Sequence, residues 1–199
     1  MTAEDRASQR NSWGIPHDAV VIGSVGRLVP HKRNDFVLQV FAALRKSSHA
    51  DELWCVIAGK GPDLERLRQI AGDLEIGDRV RFPGWQPSVS RAWSAVDLFL
   101  MPSDDEGLGL TIIEAIACGC MAMPAANGGM IEILNKELAK YCIGERSVAT
   151  WASLTQGYLD LHPTDRAKLI RRAQSAVREK FDANTQWAHY VNWLEKHGK

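Results

Sequence analysis

Short apolar runs alternate with longer stretches of helical periodicity along the first two thirds of the chain. Six of these runs have the length and composition of buried strands. They cover residues 19–25, 53–58, 79–82, 97–101, 120–123 and 138–143. Between them, apolar residues recur every three or four positions, the spacing of a helix with one buried face. Such helices are predicted over residues 35–46, 62–70, 88–95 and 110–118.

Strands that alternate with helices in this way are typical of βαβ units. The pattern therefore predicts an α/β fold, in which a parallel sheet has helices on both faces. An α+β domain is the alternative.

After Gly144 the pattern changes to helices alone. Three are predicted, over residues 147–161, 165–180 and 185–197. Ser147 and Thr164 are the expected N-cap residues of the first two. In the third, Trp187, Tyr190 and Trp193 follow helical spacing, which is most often the spacing of core residues.

Composition excludes several classes of protein. The chain has 199 residues, 45% of them hydrophobic, with 24 Lys and Arg against 24 Asp and Glu. This balance excludes a disordered chain and argues against a nucleic-acid-binding protein, which would show a basic face. No apolar run approaches the roughly 20 residues needed to cross a bilayer. The polar N-terminal residues do not resemble a signal peptide.

Four cysteines stand at positions 55, 118, 120 and 142. Cys118 and Cys120 form C-x-C rather than C-x-x-C, and a metal site would need more ligands at closer spacing. We expect buried, reduced thiols in a cytoplasmic protein.

Loops that follow the predicted strands should carry the function, because parallel sheets bind ligands beyond the carboxyl ends of their strands. Each of these loops contains glycine, which permits close approach of the backbone to a ligand but also serves in tight turns. The loops are residues 26–32, 59–62, 84–85, 102–109 and 126–129.

The first of these loops carries two cations, Arg27 and Lys32. An Arg fork and a mobile Lys charge at one edge of a sheet suit a phosphate or diphosphate. The alternative is a solvated loop with two ordinary surface cations.

The fourth loop leads directly into a helix. Amides in the first turn of a helix have no internal partners and favour an anion, so the backbone of 107–110 can hold phosphate oxygens. Glu106 and Glu114 frame this segment with seven residues between them. They would bind hydroxyls of different parts of one extended ligand. Alternatively, Glu114 stabilises the start of the helix and Glu106 is solvated.

Other sites are not indicated. The chain has no P-loop, no complete dinucleotide fingerprint and no G-x-S-x-G element. Asp104, Asp105 and Glu106 are adjacent in a loop and point in different directions, which argues against a metal site.

The ordered loop motifs resemble the C-terminal, nucleotide-sugar-binding half of retaining group 1 glycosyltransferases with the GT-B fold. The matching segments are GRLVPHK at 26–32, IAGKGP at 57–62, VRFPG at 80–84, PSDDEGLGLTIIEAIACG at 102–119 and GGMIE at 128–132. The resemblance implies a Rossmann-like domain that binds a nucleoside diphosphate sugar, such as a UDP- or GDP-sugar.

This resemblance also implies roles for individual residues. Arg27 and Lys32 would neutralise the donor diphosphate, and Glu106 would hold hydroxyls of the sugar. Glu114 would bind the ribose, and the strand end at 82–85 would lie along the base. Fixed cations and amides would stabilise the departing diphosphate without a metal or another cofactor. The residues expected to bind the donor are Gly26, Arg27, Lys32, Gly59, Phe82, Gly84, Trp85, Glu106, Gly107, Leu108, Gly109, Leu110 and Glu114, and those expected to assist transfer are Glu106, Lys32 and Arg27.

Two departures from the family pattern stand out. Arg33 occupies the position where the family usually has glycine, and would add a third cation or alter the turn. Residues 120–123 read Cys-Met-Ala-Met instead of the family's proline and valines, for which we expect altered packing.

The family's architecture implies further partners for this chain. Residues 1–18 would be a linker, 19–180 the donor domain, and 181–199 a helix that packs back across an N-terminal half, which would leave some of the aromatic residues of that helix exposed in this chain. That half would supply the acceptor site, usually with a catalytic His, and would allow peripheral association with the inner face of the membrane. The acceptor would be a saccharide or lipid-linked sugar, as in lipopolysaccharide or polysaccharide synthesis. Alternatives are a non-catalytic module that binds nucleotide sugars, half of a sugar-nucleotide epimerase, or a phosphorylase with a pyridoxal cofactor.

Overall fold

A computed structural model describes residues 2–46, 49–107, 109–128, 134 and 138–197. Its five strands are Val20–Val25 (β1), Leu53–Ala58 (β2), Val80–Arg81 (β3), Leu98–Met101 (β4) and Met121–Pro124 (β5). All pairings are parallel, and the strand order is β3-β2-β1-β4-β5. Every residue of β2, β4 and β5 is buried, which is why these strands read as continuous apolar runs. The predicted α/β fold is confirmed.

Except for the first, which was not predicted, the helices lie close to their predicted positions. They are Ala3–Ser12 (α1), Asn34–Leu44 (α2), Leu64–Asp73 (α3), Val89–Ala95 (α4), Leu110–Ala117 (α5), Val148–Leu159 (α6), Pro163–Phe181 (α7) and Ala183–His197 (α8). Ser147 caps α6 as predicted, since its side chain accepts from the Thr150 amide. The N-cap of α7 is His162 rather than Thr164, because Pro163 can occupy the first helical position.

The helices divide into two layers. From β1 the chain winds outward to β2 and β3, then returns to β4 and β5 on the other side of β1. Right-handed crossovers place the helices of these two halves on opposite faces of the sheet. Accordingly, α2 contacts α3 and α6, whereas α5 contacts α4 and α7. Strand order reverses between β1 and β4, where open α/β sheets form a binding crevice.

A charged network fixes α1 below the amino end of β4. Asp97 accepts hydrogen bonds from Arg6 at 2.5 Å, from Arg10 at 2.6 Å and from the backbone amide of Val21 at 2.8 Å. The Arg10 side chain is buried and also donates to the carbonyls of Ala95 and Ala19. Burial lowers the pKa of the Arg10 guanidinium, and the Asp97 carboxylate opposes that shift. Much of the interval predicted as a linker is therefore a helix packed on the domain; its role in joining another domain stays a prediction.

The prediction of a sixth strand was wrong. Residues 138–143 do not form a sixth strand: Ala139–Tyr141 is a 3₁₀ helix, and only Ile143 bridges to Ala125. Leu138 and Tyr141 are both buried and lie three residues apart, which fits a 3₁₀ turn better than strand alternation.

The aromatic side chains of α8 do not belong to the core. Trp187, Tyr190 and Trp193 are 65%, 52% and 56% exposed. Their helix packs on α7, which leaves these rings at the surface. No helix of the described ranges combines the length and apolarity needed to span a bilayer.

The cysteines are free thiols. Cys55 and Cys120 are buried as expected, whereas Cys118 and Cys142 are partly exposed. Burial raises the pKa of all four thiols, most strongly in the two buried ones, which makes them poor nucleophiles.

Candidate functional site

A cavity of about 250 Å³ opens where the strand order reverses, at the carboxyl ends of β1 and β4. Arg27 and Lys32 line it from the loop after β1, Ser103 from the loop after β4, and Thr111 from the first turn of α5. The structure thus brings both predicted cations to the start of the predicted anion-binding helix.

A second cavity of about 300 Å³ lies on the β2 and β3 side of the first. Gly59, Trp85 and Gln86 line it, and Lys60 Nζ lies 6.0 Å from the centre of the Trp85 ring. The two cavities share Val25, Gly26 and Arg27. The two cavities are therefore neighbours along the sheet edge, with Trp85 in one, Lys32 in the other and Arg27 in both.

Two predicted functional residues contact each other directly. Lys32 Nζ donates to Glu106 Oε1, and both side chains are largely buried, at 20% and 13% exposed. Arg27 is different: none of the described residues forms an ion pair with it. An anion that enters the first cavity would therefore meet one unpaired guanidinium and one ammonium that must change partners.

The loop that carries Glu106 is held from several sides. The Asp104 amide donates to the His31 carbonyl at 2.8 Å, which joins this loop to the Lys32 loop. The Asp104 carboxylate accepts from Arg146 and, at 3.3 Å, from Arg33. Asn127 Nδ2 donates to the Ser103 carbonyl at 2.8 Å. These contacts fix Glu106 relative to Lys32.

The structure also explains Arg33, which stands where the family usually has glycine. This residue adopts a left-handed conformation, φ 52°, the region in which glycine is favoured, and its side chain pairs with acids of the protein.

Other predicted site residues lie outside the two cavity linings. Phe82 and Gly84 lie between the end of β3 and Trp85, which lines the second cavity. Glu106 reaches the first cavity only through Lys32. Gly107 is exposed, Gly109 is the buried N-cap of α5, and Leu110 is 62% exposed. Glu114 is exposed on α5, and Leu108 falls outside the described residues.

Sequence reasoning missed Ser103, Thr111, Gln86 and Arg146. Ser103 and Thr111 carry no signal by themselves, since single hydroxyls in loops and helix starts are common. Arg146 is 42 residues from Asp104, and only the fold brings them together.

Gly59→Ala should destabilise the domain at the boundary of the two cavities. A Cβ at Gly59 would overlap the carbonyl oxygen of Gly26, and Gly59 has φ +150°, which side chains rarely adopt. We expect the free energy of unfolding to fall by about 2 kcal/mol, measured by chemical denaturation. Gly77→Ala is the matched control, because nothing lies within 4 Å of its added Cβ. Equal stability of the two variants would contradict the close packing inferred here.

The sequence of this chain matches a known protein family. Residues 5–176 match the profile of the family described as Glycosyl transferases group 1. The D-inositol 3-phosphate glycosyltransferase of Salinispora arenicola (strain CNS-205) is 33% identical over 95% of this chain and 43% of its own length. The enzyme of that name from Mycolicibacterium smegmatis (strain ATCC 700084 / mc(2)155) is 30% identical over 98% of this chain and 43% of its own length. The chain thus spans less than half of these relatives.

Solved structures show the same fold. Anabaena Alr3699/HepE in complex with UDP and glucose aligns with a TM-score of 0.83 and 21% identity, over 98% of this chain and 53% of that one. The C-terminal domain of a glycosyl transferase group 1 family protein (LpcC) from Francisella tularensis aligns with a TM-score of 0.76 and 22% identity, over 89% of this chain and 93% of that one. The fold is that of one half of a GT-B glycosyltransferase.

Proposed function

Because this chain belongs to the group 1 glycosyl transferase family, we propose that it binds the nucleoside diphosphate sugar donor of a retaining, metal-independent glycosyltransferase. The observation that carries the proposal is the first cavity, where Lys32 and the first turn of α5 meet Arg27, which forms an ion pair with none of the described residues. Cations and helix-start amides converging on one space suit a diphosphate. The second cavity, with Trp85 and Gly59, would take the nucleoside.

The site can assist departure of the diphosphate. As the bond between the anomeric carbon and the phosphate oxygen breaks, its electron pair passes to the diphosphate, and negative charge grows there. Once the donor is bound, Arg27, Lys32 and the amides of α5 would already lie near that charge, so the chemical step itself needs no reorganisation and its barrier is lowered. The acceptor oxygen bonds to the anomeric carbon and its proton passes to a phosphate oxygen of the leaving group.

Glu106 would exchange partners when the donor binds. In the unliganded protein its carboxylate holds Lys32. A bound diphosphate draws Lys32 away, and the donor sugar then supplies hydroxyls that donate to Glu106. Each group thus keeps a partner, as buried charges require.

The rest of the enzyme would bind the acceptor. The two curated relatives are named for D-inositol 3-phosphate, and the HepE structure contains UDP and glucose. We therefore propose UDP-glucose as the first donor to test, and a hydroxyl of a phosphorylated polyol or a saccharide, including a lipid-linked one, as the acceptor. Transfer would take place in the cytoplasm, at the inner face of the membrane when the acceptor is lipid-linked.

Calorimetric titration of the folded chain with UDP and GDP tests the donor site. We expect weak binding of one of them with a stoichiometry of one, unchanged by EDTA, because Arg27 and Lys32 take the place of a metal. Arg27→Ala should abolish the heat signal. A folded sample that releases no heat with either nucleotide would refute the donor site, and loss of binding in EDTA would refute metal independence. The chain alone should transfer no sugar, since the acceptor site would lie in the other half.

A further inference from the structure

A hydroxyl in the wall of the first cavity is buried without a hydrogen-bond partner in the part of the chain that the structure describes. Ser103 lies two residues beyond β4 and is fully buried. Its carbonyl accepts from Asn127 at 2.8 Å, so the backbone is held in place. Its Oγ, however, has no hydrogen-bond partner among the described residues.

An unpaired buried hydroxyl is costly, and most such groups in proteins are paired. The other buried serine of the described residues follows that rule, since Ser94 Oγ donates to the Arg91 carbonyl at 2.7 Å. The Ser103 hydroxyl shares its cavity with Arg27 and Lys32. The partner that suits all three groups is an anionic oxygen.

The order of the groups along the sheet edge indicates which phosphate of a nucleoside diphosphate would supply this oxygen. The second cavity lies over β2 and β3, Arg27 belongs to both cavities, and Ser103 lies beyond Arg27 on the β4 side. A nucleotide whose base lies near Trp85 would reach Arg27 with its first phosphate and Ser103 only with its second.

We propose that Ser103 Oγ donates a hydrogen bond to the phosphate distal to the nucleoside, which makes Ser103 a further donor-binding residue. This inference rests on the proposed function. It also explains why the structure retains an unpaired hydroxyl: the free energy lost in the unliganded protein is recovered when the ligand binds.

Ser103→Ala separates this role from a structural one. UDP should bind about tenfold more weakly, because a hydrogen bond to a charged oxygen is lost, while UMP should bind as it does to the wild type. The melting temperature of the unliganded variant should be unchanged or higher, since the substitution removes an unpaired polar group. The measurements are calorimetric titration with each nucleotide and thermal denaturation.

Ser94→Ala is the matched control, because it removes a serine hydroxyl that already has a partner. It should lower the melting temperature and leave UDP affinity unchanged. If Ser103→Ala instead behaves like this control, the hydroxyl is structural and the inference fails. Equal weakening of UDP and UMP would overturn the distal placement. If the wild type binds no nucleotide, the proposed function fails and this inference with it; if it binds UDP and Ser103→Ala binds equally well, only this inference fails.

Discussion

Asp97→Ala is expected to lower the free energy of unfolding by about 3 kcal/mol, the cost of leaving a buried charge without its partner. The substitution removes the carboxylate that Arg10 and Arg6 share and the acceptor of the Val21 amide. Arg10 is 1% exposed, so water cannot replace the lost partner. Urea denaturation followed by fluorescence measures the change.

Asp78→Ala is the matched control. Asp78 also faces two arginines, but it is 60% exposed, so its loss should cost less than about 1 kcal/mol. Hydrogen exchange of α1 adds a local measurement, because α1 should lose protection before the sheet does. Indistinguishable unfolding curves for the two variants would show that the network contributes nothing to stability.

Lys32→Ala is expected to weaken UDP binding about 10- to 100-fold, whereas Glu106→Gln should strengthen it a few-fold. Removing Lys32 deletes a cation from the cavity and leaves the carboxylate of Glu106 to repel the diphosphate. Replacing Glu106 with Gln releases Lys32 from its ion pair, so the diphosphate no longer competes for it. UDP-glucose should not share the gain, because the sugar loses a charged acceptor.

The two substitutions should not be additive, since the side chains contact each other. Calorimetric titration of both single variants and the double variant with UDP measures the coupling. Asp105→Asn is the control, because it removes one negative charge from the same loop at an exposed position. It shows whether UDP affinity depends on the Lys32–Glu106 contact or only on the charge of the loop. If it strengthens UDP binding as much as Glu106→Gln, the Lys32 contact is not the cause.

The sequence predicted most of the sheet because buried parallel strands are continuous apolar runs. Leu53–Ala58 matches its predicted bounds, and Leu98–Met101 differs by one residue. The meeting of Arg27, Lys32 and α5 also followed from sequence, since all carboxyl ends of a parallel sheet lie at one edge.

Long-range polar contacts could not be predicted. Arg10 and Asp97 are 87 residues apart, and each reads as an ordinary surface charge in its own segment. The sequence also left open whether Trp187 is buried or exposed, because helical periodicity shows that residues share a face but not what covers that face. Ser103 is distinguished by a buried hydroxyl that pairs with none of the described residues, a feature that no sequence pattern records.

The loops at the carboxyl edge of the sheet pack closely against each other because glycines stand at their contact points. A Cβ at Gly59 would collide with the backbone of the loop after β1, and a Cβ at Gly128 with the Glu106 carbonyl. Two pairs of neighbouring loops are thus in backbone contact. The loop after β1 contacts the loop after β2, and the loop after β4 contacts the loop after β5. Chimeras that recombine this domain with a homologue should therefore exchange both loops of a pair together. A single transplanted loop would pack against a partner loop that still follows the original backbone path.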